Sequence, residues 1–269
     1  MPGTGHIFCG PGEAIQRVLG RGCWTAVTPL AAAASDDASS QGWCWRPLPV
    51  EGAIGDRGGA QGTVWEIRSP EGDSEILQWP MLGEHNAANA TAAIAAAGHV
   101  GVPLGDAVAA LASFKGVKRR LELLGRPAGI SVYDDFAHHP TAVAETIRAL
   151  RQKHPGKRLC AVFEPRSNTS VLRIHQEQLV SALAQADEVL LAPPHRAERI
   201  PTNDRLDVQA IVHALNSQIP AQALETSAIL EHLKATAASG DVILIMSNGK
   251  FDNLHERLLK VLNSEAGLA

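Results

Sequence analysis

Four short apolar runs in this chain each break off into a polar or charged loop. Ile130-Ser131-Val132-Tyr133 runs into Asp134-Asp135-Phe136-Ala137-His138-His139, and Leu159-Cys160-Ala161-Val162-Phe163 runs into Glu164-Pro165-Arg166-Ser167-Asn168-Thr169. Val189-Leu190-Leu191 gives way to Pro193-Pro194-His195-Arg196, and Val242-Ile243-Leu244-Ile245-Met246 to Ser247-Asn248-Gly249-Lys250. Runs this short and this apolar read as strands buried on both faces, as in a parallel sheet covered by helices. Helical spacing fills the intervals, with helices predicted near 141–153, 174–185, 207–215, 227–238 and 252–263. That alternation specifies an α/β domain with a mainly parallel sheet. Parallel strands send all four loops to one edge, where the amides opening each following helix attract anions. Pro140 fits a first helical position, since its fixed φ suits the turn and its missing N–H costs nothing there. A blander reading is that Asp134 and Asp135 form a turn and cap the helix, with His138 and His139 solvated.

The first 80 residues differ in texture. All five tryptophans lie there, and Gly62–Ile67 and Ser74–Trp79 read as strands. A helix is expected over Gly12–Leu19 and a loop over Ala31–Gln41. Gly83-Glu84-His85-Asn86-Ala87-Ala88-Asn89-Ala90 leads into an alanine-rich helix over Thr91–Ala97 that Gly98 ends, and Val102–Phe114 supplies another. Asn86 and Asn89 are three apart, hence neighbours on a helix face. Capping accounts for one of them; two side-chain amides on one face also match the donor and acceptor edge of a purine. Lys115–Lys118 reads as a hinge, dividing the chain into 1–115 and 116–269. Beyond it, Arg120–Leu124 and Ile130–Tyr133 flank a glycine-bounded turn as a hairpin would.

Composition closes several routes. A net charge of -4 with 19% charged residues gives no basic field for nucleic acid or an anionic membrane. No apolar run approaches the ~20 residues that cross a bilayer. Cys9, Cys23, Cys44 and Cys160 have neither zinc spacing nor a disulfide pattern, which reads as reduced thiols in a cytoplasmic protein. Adjacent His138 and His139 diverge and lack further spaced ligands, so no metal site is expected. There is no Gly-x-Ser-x-Gly elbow and no Gly-x-x-x-x-Gly-Lys-Ser/Thr phosphate loop, and Gly3-x-Gly5 has no strand before it. What remains is an anion-binding edge carrying Arg120, Asp135, His138, His139, Arg166 and Lys250.

These residues carry a resemblance. In order, Gly83-x-His85-Asn86-x-x-Asn89-x-x-Ala92-Ala93, Lys118-Arg119-Arg120-Leu121-Glu122 and Asp134-Asp135-Phe136-Ala137-His138-His139-Pro140 resemble the Mur ligases, ATP-dependent amide-forming enzymes of the bacterial cell wall. Glu164–Thr169 and Ser247-Asn248-Gly249 look like members that join the tripeptide L-alanyl-γ-D-glutamyl-meso-diaminopimelate to UDP-N-acetylmuramate in peptidoglycan recycling. Members that add L-alanine instead carry a Pro-His-Arg-Tyr pattern at Glu164–Asn168. The match spans about residues 83–263, and 1–82 more loosely. It implies a Rossmann-like, mainly parallel carboxy-terminal ligase domain, preceded by the truncated second half of an α/β central ATPase domain without its phosphate loop.

The resemblance also implies roles. Asn86 and Asn89 match residues that hydrogen-bond adenine; Arg120 matches an arginine near the ribose and phosphates; Asp135 matches a carboxylate on the ribose hydroxyls. His138 falls where relatives place a basic group by the terminal phosphates, which with Arg120 makes the catalytic pair. His139, Arg166, Asn168, Ser247 and Asn248 are the candidates for the peptide, arginine being suited because its fork takes a carboxylate bidentately. The implied chemistry is phosphorylation of the muramate carboxylate by ATP to an acyl phosphate, which the peptide amine attacks, with Mg2+ held mainly by residues outside these 269. The fragment alone is then expected to turn over nothing. The alternatives are a fragment of an L-alanine-adding ligase, or a nucleotide- or peptide-binding module without catalysis. One departure stands out: Lys250, Asp252 and Asn253 occupy positions where the family favours glycine, which implies strain or contact with substrate.

Overall fold

The structure, a computed structural model, describes residues 5–33, 42–49 and 64–266. The chain divides into two compact units, Met1–Gly116 and Val117–Ala269. The expected loop at Ala31–Gln41 lies, beyond Ala33, outside the described residues, as do Gly62 and Thr63. Among the described residues no helix is long and apolar enough to cross a membrane.

The first unit is a five-stranded sheet of β1 (His6–Cys9), β2 (Ala26–Ala32), β3 (Trp43–Pro47), β4 (Val64–Arg68) and β5 (Ser74–Gln78), in that order. β1 to β3 run parallel, and β4 and β5 return antiparallel. Trp43, Trp45, Trp65, Ile67 and Leu77 pack with Ala87, Ala90 and Ile94 of α2 (Glu84–His99) and Ala107 and Val108 of α3 (Leu104–Ala112). The helix α1 (Glu13–Leu19) has no buried residue. Two sequence expectations need correction here. β2 extends to Ala32, where a loop is expected. α2 begins seven residues before Thr91 and does not stop at Gly98. Gly83, at φ 87°, sets its start; Gly98 stays helical because it lies on Trp43, whose Cζ2 would be 3.6 Å from an added Cβ. The helix ends only at Val100 and Gly101, the latter at φ 92°.

The second unit is a six-stranded sheet: β6 (Glu122–Gly125), β7 (Ser131–Asp135), β8 (Leu159–Phe163), β9 (Glu188–Leu191), β10 (Ala221–Ala223) and β11 (Val242–Met246), in the order β10-β9-β8-β11-β7-β6. All pairs are parallel except the β6–β7 hairpin. Strand alternation splits the core cleanly. Tyr133, Ala161, Phe163, Val189 and Leu244 face α4 (Pro140–Lys153), α5 (Gln176–Leu183) and α6 (Val208–Leu215). Val132, Val162, Leu190, Ile243 and Ile245 face α7 (Thr226–Thr236) and α8 (Leu254–Ala266). Both faces are therefore covered, as the apolar runs require. β10 is an addition to the sequence-based elements; the Asn216 side chain clamps it through both the amide and the carbonyl of Ala221, at 2.8 and 3.1 Å.

At the amino ends of these strands lies an ionic lattice. Arg158 bridges Asp241 (2.6 Å) and Glu188 (2.5 Å), and Glu188 also meets His232 at 2.8 Å. Asp241 accepts from the Ala238 amide as well. With both acids buried, the lattice fixes where β8, β9 and β11 begin.

Candidate functional site

The carboxyl ends of β7, β8, β9 and β11 lie side by side on one rim, as parallel pairing dictates. Backbone bonds lace the first loop residues together: Ser247 N–H donates to Asp135 O (3.2 Å), Glu164 to Met246 (3.0 Å) and Ala192 to Phe163 (2.9 Å). The sequence-based grouping of 134–140, 164–169 and 247–250 on one edge thus exists within the second unit.

On the β7 side the two aspartates turn inward. Asp135, 5% exposed, accepts from the amides of Leu121 (2.6 Å) and Ala137 (2.7 Å) and from Thr146 Oγ1 (3.4 Å). Burial outweighs those bonds and holds its pKa above the ordinary carboxylate value. Asp134, equally buried, pairs with Arg119 Nε and His255 Nε2, each at 3.0 Å. Arg119 also donates from Nη2 to Ser247 O at 2.5 Å, tying β7 to β11. Neither aspartate caps α4. That role falls to His139, whose Nδ1 accepts from Thr141 N at 3.3 Å while its exposed ring stands 4.7 Å from that of His175. Burial, then His175 and His138, lower its pKa.

His138 Nδ1 is 2.9 Å from Phe136 O; a carbonyl only accepts, so Nδ1 bears a proton, and in the neutral tautomer Nε2 is the acceptor. Arg120 is exposed, its guanidinium 5.6 Å from the Phe136 ring. Asn86 and Asn89 lie on α2 of the first unit. The Asn86 amide donates to Leu82 O at 2.7 Å, while Asn89 is exposed.

On the β8 and β11 side the loops form a cavity of about 460 Å3 whose lining includes Glu164, Arg166, His195, Glu225, Lys250 and Asp252, with Asn253. Glu164, 8% exposed, accepts the Ser247 hydroxyl and meets Arg166 Nη1 at 3.4 Å. Ser247 is fully buried, and its oxygen also accepts from Gly249 N at 2.9 Å. Arg166 lies directly over Gly249: a Cβ there would be 2.1 Å from Nε and 2.5 Å from Cζ. The Arg166 backbone is fixed by Ser170, whose Oγ takes the amides of Arg166 (3.0 Å) and Ser167 (2.9 Å). Asn168 is exposed beside it, and Asn248 Oδ1 is buried without a donor. Glu225, Lys250 and Asp252 make no ion pair among the described residues. Among those residues, too, no three His, Cys, Asp or Glu side chains converge as metal ligands.

The cavity lip is strained. Phe251, Asp252 and Asn253 have φ of 47°, 46° and 55°, three consecutive non-glycine residues in the left-handed region. Asp and Asn tolerate it best; Phe251 is held there by burial in the core beneath α7 and α8. Lys250 precedes the turn at φ -78°. Sequence reasoning passed over Arg119, Glu225 and His255. Arg119 stands beside the motif residue chosen, whereas nothing local marks the other two.

Residues 119–249 match the family described as Mur ligase, glutamate ligase domain. The UDP-N-acetylmuramate–L-alanyl-γ-D-glutamyl-meso-2,6-diaminoheptandioate ligase of Escherichia coli K12 is 37% identical over 274 residues, covering 100% of this chain and 54% of that protein. Its namesake from Haemophilus influenzae is 40% identical over 188 residues, 69% of this chain and 40% of the relative. The crystal structure of a murein peptide ligase from Psychrobacter arcticus superposes with a TM-score of 0.71 at 33% identity, covering 98% of this chain and 52% of the other. The chain thus spans about half the length of the relatives it matches.

Proposed function

Because the chain belongs to the Mur ligase family, we propose that it is the peptide-receiving portion, with part of the nucleotide-binding portion, of a cytoplasmic ATP-dependent ligase. That ligase joins L-alanyl-γ-D-glutamyl-meso-diaminopimelate to UDP-N-acetylmuramate. The observation that carries this reading is the Arg166 cavity. A guanidinium pinned between Glu164 and Gly249 is a preset fork for a peptide carboxylate. A volume of about 460 Å3 also suits a ligand of tripeptide size better than free L-alanine. Arg166 and Lys250 supply positive charge, and Glu225 and Asp252 supply acceptors for ammonium groups. Asn168, exposed on the same loop as Arg166, is a further candidate for the ligand. Buried Ser247 acts by holding Glu164, and so Arg166, in position. Asn248 has an unused buried acceptor beside them.

For nucleotide, exposed Asn89 and Arg120 and the free Nε2 of His138 are the groups open to a ligand. Asn86 retains its carbonyl oxygen. ATP supplies the phosphoryl group that activates the muramate carboxylate. As folded, Asp135 is buried and closed around its own loop, so ribose hydroxyls would reach it only if that loop shifts. Nor do Asp134 and Asp135 make a magnesium set, since both are committed to protein donors. The 269 residues contain no phosphate-loop motif, so neither ATP hydrolysis nor amide formation is expected of them alone.

Calorimetry on this chain tests the reading. The tripeptide should bind and free L-alanine should not, and Arg166→Ala should weaken tripeptide binding roughly ten- to hundred-fold. Equal binding of L-alanine would favour the L-alanine-adding ligases instead, and ATP turnover by the isolated chain would overturn the assignment of its parts.

A further inference from the structure

A second cavity, of about 290 Å3, adjoins the loop after β9; Pro193 lines the first cavity and Pro194 the second. Its walls are tied by backbone pairing. The segment at Leu172 bridges Arg205, Arg173 N–H donates to Asp204 O (2.8 Å) and Leu206 N–H to Val171 O (2.9 Å). Pro194, Leu206 and Val208 give it an apolar floor, and Arg173, Arg205 and Asp207 are its charged groups.

Two arginines against one aspartate leave a net positive charge, and that aspartate is already engaged. Asp207 Oδ1 caps α6 through Ala210 N at 3.0 Å, and Oδ2 is 3.7 Å from Arg173 Nη2. Arg205 is under-bonded. Nη2 donates to Ile200 O at 2.8 Å, while Nε is buried with no acceptor. A buried guanidinium donor without an acceptor is costly, and a guanidinium fork takes a carboxylate, as it does a phosphate, bidentately. Rotation of the Arg205 side chain toward the cavity would present the Nε and Nη2 edge, exchanging the Ile200 carbonyl for a ligand oxygen.

We propose that this cavity is a second carboxylate site, taking a carboxylate on a short aliphatic stem through Arg205 and Arg173. Its ligand is a further carboxylate of the same peptide whose first carboxylate meets Arg166. The two cavities flank adjacent prolines, and a tripeptide extends roughly 10 Å at 3.3–3.6 Å per residue. This assignment rests on the peptide reading above.

Calorimetry on the 269-residue chain decides it, with the tripeptide and its α-amide at the γ-D-glutamyl residue and at the terminal carboxylate. Arg173→Ala and Arg205→Lys should each weaken tripeptide binding about ten-fold and remove the discrimination against one of the two amides. Arg166→Ala should weaken binding but keep that discrimination. Arg173 is exposed, so its variant leaves the fold intact even if Arg205→Lys, which risks the Ile200 contact, does not. Unchanged affinity in Arg173→Ala, with loss in Arg166→Ala, overturns the second site and spares the peptide reading. If the parent chain binds no tripeptide, the peptide reading falls. Glutarate then separates the cases: amide shifts at Leu206, Val208 and Gln209 that vanish in Arg173→Ala support a site for a free carboxylate, and their absence overturns it.

Discussion

Replacing Gly249 with alanine should separate the fold of the rim from its recognition chemistry. An added Cβ would lie 2.1, 2.2 and 2.5 Å from Arg166 Nε, Cδ and Cζ, against the ~3.5–4.0 Å at which such atoms pack. The guanidinium must therefore move by at least about 1 Å, which takes it off Glu164. The fold should not suffer: Gly249 is not among the positive-φ glycines, and alanine at a compatible glycine position gains about 0.4–1 kcal/mol through the unfolded chain. Recognition should. A hydrogen bond to a charged group contributes about 1.5–3 kcal/mol, so tripeptide affinity should fall roughly ten- to hundred-fold. Calorimetry on Gly249→Ala, Arg166→Ala and the double variant reads this directly. If glycine acts only by seating Arg166, the double variant binds no worse than Arg166→Ala. Undiminished affinity in Gly249→Ala, or losses that simply add, would refute the mechanism.

The left-handed turn gives a second expectation. Asp252→Gly relieves strain of about 1 kcal/mol or more and loses most of it again to chain entropy, leaving stability within about 1 kcal/mol, whereas Asp252→Val should destabilise by more; urea denaturation compares them. Asn216→Ala removes both bonds clamping β10, at a cost of about 1–3 kcal/mol, and hydrogen exchange should show Ala221–Ala223 losing protection first. His154 Nε2 lies 3.0 Å from Tyr133 Oη, and burial, then Lys153, Arg126 and Lys157, lower its pKa from 6.5. A depressed pKa means its stabilising contribution is present above pH 6.5 and is lost as pH falls through the folded value. His154→Gln should therefore flatten that part of the pH–stability curve.

Much of the second unit is legible in the letters because a parallel sheet covered on both faces demands uninterrupted apolar strands. Val242–Met246 and Leu159–Phe163 can be little else. β10 is not, since Ala221-Gln222-Ala223 has no strand signature and pairs only because Asn216 holds it. The span of α2 is understated because asparagine and glycine argue locally against helix, while packing of Gly98 on Trp43 overrides them. In the site, Arg166 announces itself as a charged residue just past a buried strand. Ser247, equally polar and equally placed, proves to be interior. The distinction is tertiary, resting on Glu164 opposite. Likewise Asp134 finds His255 across 121 positions and Arg119 finds Ser247 across 128, separations that no local pattern spans.

The Arg158 lattice sits at the opposite end of the strands from the Arg166 cavity, and this polarity bears on how such a protein can change. Sequence drift among the loops that leave the strands can retune what is recognised while the ionic knot keeps the origins of β8, β9 and β11 in register. Drift inside the knot instead strands a buried charge and is purged for foldability alone. Deep mutational scanning should accordingly show two tolerance profiles in one sheet, with the recognition rim plastic to swaps that Arg158, Glu188 and Asp241 refuse.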